Sequence, residues 1–428
     1  MEKNSVTVIG AGLAGSEAAY QLATAGFQIY LFEMRPLVQT GAHTTDFFAE
    51  LICSNSLGSN LPDRASGVLK NELRRLGSLL MNIADECELP AGGALAVDRD
   101  LFSEKVTRTL SSHPNIKIIR EEVKEIPSSP TIIASGPLTS TALSKSISEI
   151  TNSNNLFFYD AIAPIVNYES INLDIAFRAS RYQKDESDSG DYINCPFSKE
   201  EYDRFVFELT NAQRIELKNF ESQIDLGVNA GPDQYFEGCL PIEVLASRED
   251  QALSHGPLRP VGITDTHSGN HPFAVIQLRQ DNLAKTLFNM VGFQTNLTYS
   301  EQERVFRMIP GLEQAVFVRH GQMHRNTYIN APQCMLETGQ FRQRADLFFA
   351  GQITGSEGYA GNIASGLVAG INISRYLKQQ DLLIFPHETM TGALMQYLSQ
   401  SETKNFQPMK ANFGLLPDLE PIVRIKKD

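Results

Sequence analysis

The chain has 428 residues, 42% of them hydrophobic and 20% charged, with a formal net charge of -13. That length exceeds what a single core usually sustains, so two or more structural units of an ordinary globular protein are expected. The acidic balance excludes a broadly basic surface, and the absence of a long apolar run or an apolar leader points to the cytoplasm and away from a membrane.

The first residues carry the densest signal. Ser5 to Ile9 is a short apolar, β-branched run that reads as a buried parallel strand. Gly10, Gly12 and Gly15 follow at G-x-G-x-x-G spacing, so the turn Gly10-Ala11-Gly12-Leu13-Ala14-Gly15 opens a helix. That helix runs from about Leu13 and stops at Gly26; Gln28 to Phe32 is a second strand, with Glu33 at its end. The glycines permit a tight turn and close approach of a pyrophosphate. The helix N-terminus offers N–H groups and partial positive charge to phosphate, and the acid accepts from ribose hydroxyls. Strand, turn, helix, strand and acid together predict a dinucleotide site in an α/β, Rossmann-like domain.

Beyond Glu33 lies a polar stretch, Gly41 to Asn60, that contains Cys53 and is too long to be a mere connector. Helical periodicity over Gly67 to Asp85 carries Lys70, Arg74 and Arg75. Pro90 to Gly93 breaks the chain, and Leu101 to Leu110 is again helical. Ile116–Ile119 and Thr131–Ala134 read as strands, the second running into Ser135-Gly136-Pro137, a strand end of the kind found beneath bound cofactors. From about Phe157 the character changes. Short strand-like runs (Ala163–Val166, Ala274–Leu278, Leu287–Phe293) alternate with polar loops, among them Lys184–Asp191 and Asp225–Asp233. Residues 161–324 are therefore expected to form an inserted α+β domain, with 1–160 and 325–428 as a discontinuous dinucleotide-binding domain. The pattern resumes at Asp346 to Gly351, a strand ending in glycine, followed by Tyr359 and a small-residue helix from Ala364 that includes Gly366. A second contact of this kind in one chain favours FAD over NAD; no second complete G-x-G-x-x-G exists, so a nicotinamide donor is expected to bind only transiently. Five cysteines with no C-x-x-C argue against a disulfide framework and against a dithiol reductase. Arg319, His320, His324 and Arg325 are spaced to grip phosphates or to form a solvated face.

Several long segments resemble one family. These are H-T-T-D-F-F-A-E-L-I-C-S-N-S around Cys53, A-G-G-A-L-A-V-D-R-D at 91–100, Y-F-E-G-C-L-P-I-E-V around Cys239 and M-H-R-N-T-Y-I-N at 323–330. L-F-F-A-G-Q-I-T-G-S-E-G-Y at 347–359 and N-F-Q-P-M-K-A-N-F-G near the end belong with them. They are similar to the folate- and FAD-dependent tRNA uracil-5-methyltransferases, TrmFO, relatives of the MnmG (GidA) flavoproteins. The chain departs from that pattern at Gly58, Asn296, Gly361, Asn362 and Lys410. The resemblance implies a glutathione-reductase-like FAD domain. Its cofactor contacts would be at Gly10, Ala11, Gly12, Leu13, Ala14, Gly15, Glu33, Gly351, Tyr359 and Gly366. The implied reaction moves a one-carbon unit from 5,10-methylenetetrahydrofolate to C5 of a T-loop uridine in tRNA, with NADH or NADPH as reductant. It also implies that Cys53 and Cys239 act, Cys239 as the thiolate adding at uracil C6 and Cys53 as a flavin-side acid/base or protective partner. Cys87, Cys195 and Cys334 are expected to be structural, Tyr359 either stacks on the flavin or fills the core, and Glu237 and His324 are acid/base helpers or structural partners. The alternatives are a large-subunit rRNA uridine as target, an NAD(P)H oxidoreductase, or an RNA-binding flavoprotein without methyl transfer.

Overall fold

A computed structural model describes residues 4–152, 156–181, 190–215, 240–248 and 251–418. Cys239, Glu237 and the 225–233 segment lie outside the described residues, as do 184–189 and the side chains of His324 and Arg325.

A five-stranded parallel sheet forms the larger unit, in the order Leu347–Phe349, Thr131–Ile133, Ser5–Ile9, Gln28–Glu33, Ile116–Arg120. Ser5–Ile9 is central, and every one of its residues is buried, which is why it reads as an unbroken apolar run rather than an alternating one. Ile9 stands opposite Phe32 on one side and Ile133 on the other, so the ends of three strands meet at one edge. The helices Leu13–Thr24 and Tyr359–Leu377 pack together through small residues. A Cβ on Gly366 would lie 2.3 Å from the Ala14 carbonyl oxygen, and one on Gly370 3.1 Å from that of Ala18. The two cofactor-side segments, remote in sequence, are thereby locked side by side.

The helix expected over Gly67–Asp85 is two helices, Ala65–Arg75 and Leu79–Glu86. Gly77 takes φ +75° between them, and the Ser78 hydroxyl accepts from Met81 N–H to start the second. The break brings the new N-terminus to the buried Glu17, whose carboxylate accepts from Ser78 Oγ, Leu79 N–H and Leu80 N–H. The polar stretch after Glu33 is equally well organised. Glu50 accepts from the backbone and hydroxyls of Thr44 and Thr45, and from Arg35 at 3.0 Å. Its end, Ser56–Ser59, is a strand of a small sheet with Ala94–Val97 and Glu88–Leu89.

A six-stranded antiparallel sheet builds the second unit: Phe177–Ala179, Tyr192–Phe197, Ala274–Gln280, Leu287–Met290, Ile165–Asn167, Phe317–Arg319. Its core includes Phe197, Phe205, Phe293 and Phe306. An antiparallel ribbon, Leu156–Ala161 with Met323–Tyr328, joins the units; we propose dividing the chain there, at 161 and 324. Among the described residues no helix is long and apolar enough to cross a membrane, and no group of three or more His, Cys, Asp or Glu could hold a metal ion.

Candidate active site: two compartments sharing one wall

A cleft opens along the carboxyl edge of the parallel sheet, the place where such sheets receive ligands. It is partly open to solvent and is lined by Gly10, Gly12, Leu13, Ala14, Glu33, Ala134 to Thr139, Asn326, Gly351 and Tyr359. The Leu13–Thr24 helix begins here with no side chain capping it, so its first N–H groups and positive end remain available to an anion. A Cβ on Gly12 would meet no protein atom within 4 Å, whereas one on Gly15 would lie 1.8 Å from the Gly10 carbonyl oxygen. Gly12 thus keeps the cleft open, and Gly15 lets the helix sit on the strand.

Burial alone would push the Glu33 carboxyl up. Hydrogen bonds and charge from Arg35, with the Ala11 N–H at 3.2 Å, outweigh it and hold the group below its ordinary value. Glu33 is therefore an anion at the cleft wall. The Asn326 side chain is 1% exposed, lines the cleft, and neither its Oδ1 nor its Nδ2 has a partner among the described residues. A wholly unsatisfied buried amide is costly, and a polar heterocycle or ribityl chain in the cleft would satisfy it. The open phosphate cradle, the charged acid and the orphaned amide fit FAD.

Three of the sequence-derived contacts are placed differently. Ala11, Gly15 and Gly366 do not line the cleft. Ala11 acts through its N–H on Glu33, Gly15 packs against Gly10, and Gly366 packs against Ala14. The following helix starts at Tyr359, five residues before the expected Ala364, because Gly358 at φ 84° and ψ 146° turns the chain into it.

A second compartment, also partly open to solvent, adjoins the first and is lined by Ser54, Ser56, Gly58, Arg279, Gln294, Glu357, Gly361 and Lys410 among others. Cys53, Gln352, Tyr359 and Asn362 line both spaces, so they form the shared wall. Three elements grip the cysteine loop. The Tyr359 hydroxyl accepts from Cys53 N–H at 3.0 Å and Ser54 N–H at 3.1 Å. Arg99 donates to the Leu51 and Ile52 carbonyls and pairs with Asp281 at 2.9 Å. Arg279 donates to Asn55 Oδ1 and Ser54 Oγ. Burial pushes the Tyr359 phenol up, and the Cys53 thiol adds to the shift, so the hydroxyl stays protonated. Arg99 and Arg319 also lie within electrostatic reach of the Cys53 sulfur.

The structure relocates several other residues. Arg319, expected on a phosphate-gripping face, is half-buried and donates inward to the Ala42 carbonyl. His320 stacks on Tyr299 at 4.8 Å. Asn296 lines neither compartment; its Nδ2 donates to Ile215 O, and its N–H to Glu243. Cys87, Cys195 and Cys334 are buried, and burial raises their thiols, those of Cys87 and Cys334 to about 11 and about 12. Arg99, Arg279 and Asn326 were not singled out by reading the sequence. Arg99 and Asn326 lie in the segments 91–100 and 323–330 that carry the family resemblance, which was the signal available for them.

A dinucleotide cradle on a parallel sheet, closed by a second glycine-ended strand and a small-residue helix, defines an FAD-binding flavoprotein. The family model described as glucose inhibited division protein A matches residues 5–381. The Aquifex aeolicus GidA structure in its form I crystal superposes with a TM-score of 0.68 at 16% identity, over 95% of this chain and 72% of that one. In sequence the chain is 54% identical over 422 residues to a protein of Anoxybacillus flavithermus named methylenetetrahydrofolate–tRNA-(uracil-5-)-methyltransferase TrmFO, covering 99% of this chain and 95% of the relative. A Bacillus subtilis protein of the same name is 52% identical over 428 residues, covering 100% of this chain and 95% of its own length. The chain belongs to the TrmFO family of the GidA flavoproteins.

Proposed function

We propose that this chain transfers a one-carbon unit from 5,10-methylenetetrahydrofolate to C5 of a uridine in tRNA, with reduction to a methyl group by NADH or NADPH. The observation that carries the reading is the shared wall, with Cys53 between a dinucleotide cleft and a second chamber lined by convergent polar groups. FAD, when bound, supplies the redox and carrier chemistry that connects folate to the base. Gly12, the first turn of the Leu13–Thr24 helix, Glu33, Asn326 and Gly351 hold it.

The remaining work belongs to side chains. Uracil C5 is a poor nucleophile until a thiolate adds at C6, and we assign that role to Cys239, which lies outside the described residues. The described chain resumes at Leu240, and Ile242 N–H donates to the Gln294 carbonyl at 2.7 Å, beside the second chamber. Cys53 we assign to proton exchange or protection on the cofactor side. Its loop is anchored by the Tyr359 hydroxyl, which accepts from the N–H groups of residues 53 and 54. A base inside folded RNA must leave its stack to enter the chamber.

Isotope-labelled methylenetetrahydrofolate with NADH or NADPH is expected to label uridine in tRNA lacking the modification. Label entering only from S-adenosylmethionine, or not at all, overturns the reading. RNA containing 5-fluorouridine at the target is expected to trap a covalent adduct on the peptide that bears Cys239. An adduct on Cys53 reverses the division of roles.

A further inference from the structure

Arg279 is an anomaly in the second chamber. It lies near the end of the strand Ala274–Gln280, is 7% exposed, and lines the chamber beside Cys53. Its hydrogen-bond partners are all neutral: Asn55 Oδ1 at 2.8 Å, Ser54 Oγ at 2.7 Å and Asn289 Oδ1 at 3.5 Å. Among the described residues no carboxylate forms an ion pair with it, and its Nη1 donates to no protein atom. The nearby Asp281 is paired with Arg99 at 2.9 Å. The other charged residues on the chamber wall, Glu357 and Lys410, stand opposite each other in the Ser356–Glu357 and Met409–Lys410 ladder, and the Glu357 carboxylate accepts from Gln352 Nε2 at 2.8 Å. The Arg279 guanidinium is thus desolvated, without an ion pair among the described residues, and has a donor to spare. Burying a cation without a counter-ion is expensive, and such a group persists where an anion completes it.

We propose that Arg279 is an oxyanion subsite: its Nη1 receives a carboxylate or phosphate oxygen of the substrate, while Nε and Nη2 remain on Asn55 and Ser54. A planar fork that already holds two fixed acceptors is preorganised to receive a third. The same side chain then links occupancy of the chamber to the loop that carries Cys53. The proposal rests on reading the chamber as the substrate site. It leaves two sources for the anion, the glutamate carboxylates of a reduced folate or the phosphate of a nucleotide.

The test uses FAD-loaded full-length protein and two ligand pairs, one member of each lacking the anionic group: tetrahydrofolate against 6-methyltetrahydropterin, which lacks the p-aminobenzoyl-glutamate, and 5′-UMP against uridine. Affinities are read from the change in flavin fluorescence. Arg279→Gln is expected to weaken the anionic member of one pair by about 10- to 100-fold, the worth of a charge-assisted hydrogen bond, and to leave its neutral counterpart within about twofold. Loss in the folate pair assigns the carboxylate, and loss in the nucleotide pair assigns the phosphate. Equal weakening of both members, or of neither, overturns the proposal and leaves Arg279 as a brace for the cysteine loop. Should Arg279→Gln fail to retain FAD, Arg279→Lys carries the test: charge without the fork is expected to weaken the anionic ligand selectively but less. Absence of folate-dependent methylation in the wild-type protein would instead break the functional reading, an outcome separate from any binding difference.

Discussion

The two compartments are built on opposite principles. The dinucleotide cleft is framed by local devices, the glycine turn and helix end at Gly10 to Leu13 and the strand end at Gly351, with Ala134 to Thr139 and Asn326 completing it. The second chamber is made of side chains from segments that meet only in the fold, including Ser54, Arg279, Gln294 and Lys410. Gly58, Gly361 and Lys410, three of the positions read from the sequence as departures from the family pattern, line the second chamber, and a fourth, Asn362, lines both compartments. A cradle of N–H groups for phosphate tolerates little change, because adding one carbon either fills it or forces the chain apart. A chamber walled by side chains is retuned one residue at a time.

The sharpest way to break this comparison is within the glycine turn. Gly15→Val places atoms on the Gly10 carbonyl, where only backbone can yield, and is expected to abolish soluble folded protein. The Cβ introduced by Gly12→Ala meets no protein atom within 4 Å, so a folded protein that has lost FAD is expected, visible as a colourless product with an intact far-UV spectrum. If both variants lose the fold, Gly12 is not the residue that keeps the cleft open.

At the shared wall, Cys53→Ala is expected to retain flavin while turnover falls by about 100-fold or more, the usual worth of a positioned acid or base. Unchanged turnover would remove Cys53 from the chemistry. A smaller effect is expected from Tyr359→Phe, which strands two N–H donors at a cost of about 1–3 kcal/mol. Flavin should stay bound, kcat should drop by roughly 5- to 100-fold, and alkylation of Cys53 should become less uniform as its loop loosens. A loss of flavin without these changes would place Tyr359 in the cleft alone.

The smallest effect sharpens the second chamber. The Lys70 ammonium donates to the Leu57 and Ser59 carbonyls and Ser66 Oγ, bracing the wall strand, yet burial and the charge of Arg74 push it down to about 8. Its folded pKa lies below the unfolded one, so the unfolded state binds more protons above pH 8, and the charged lysine costs stability below it. Wild-type stability to denaturant is expected to gain between pH 8 and about 10 relative to Lys70→Met. Parallel pH curves for the two proteins would mean that the three acceptors keep the ammonium charged.

The G-x-G-x-x-G turn, the acid at Glu33 and the strand at Leu347–Phe349 were legible from sequence because each is a local device: period, glycine spacing and burial on both faces are set by neighbours within a few residues. The cysteine at 53 was legible only through its surrounding motif. What the tertiary structure decided is everything that depends on chains meeting from afar. Gly366 proved to be a helix contact because Ala14 lies against it, and Tyr359 an anchor for residues 53 and 54 because its helix begins earlier than composition suggested. Arg319 turned inward, and Arg279 emerged from an apolar strand into the second chamber. A charged side chain's role is set by what it is desolvated against and what pairs with it, and neither quantity is carried by the residue or its sequence neighbours.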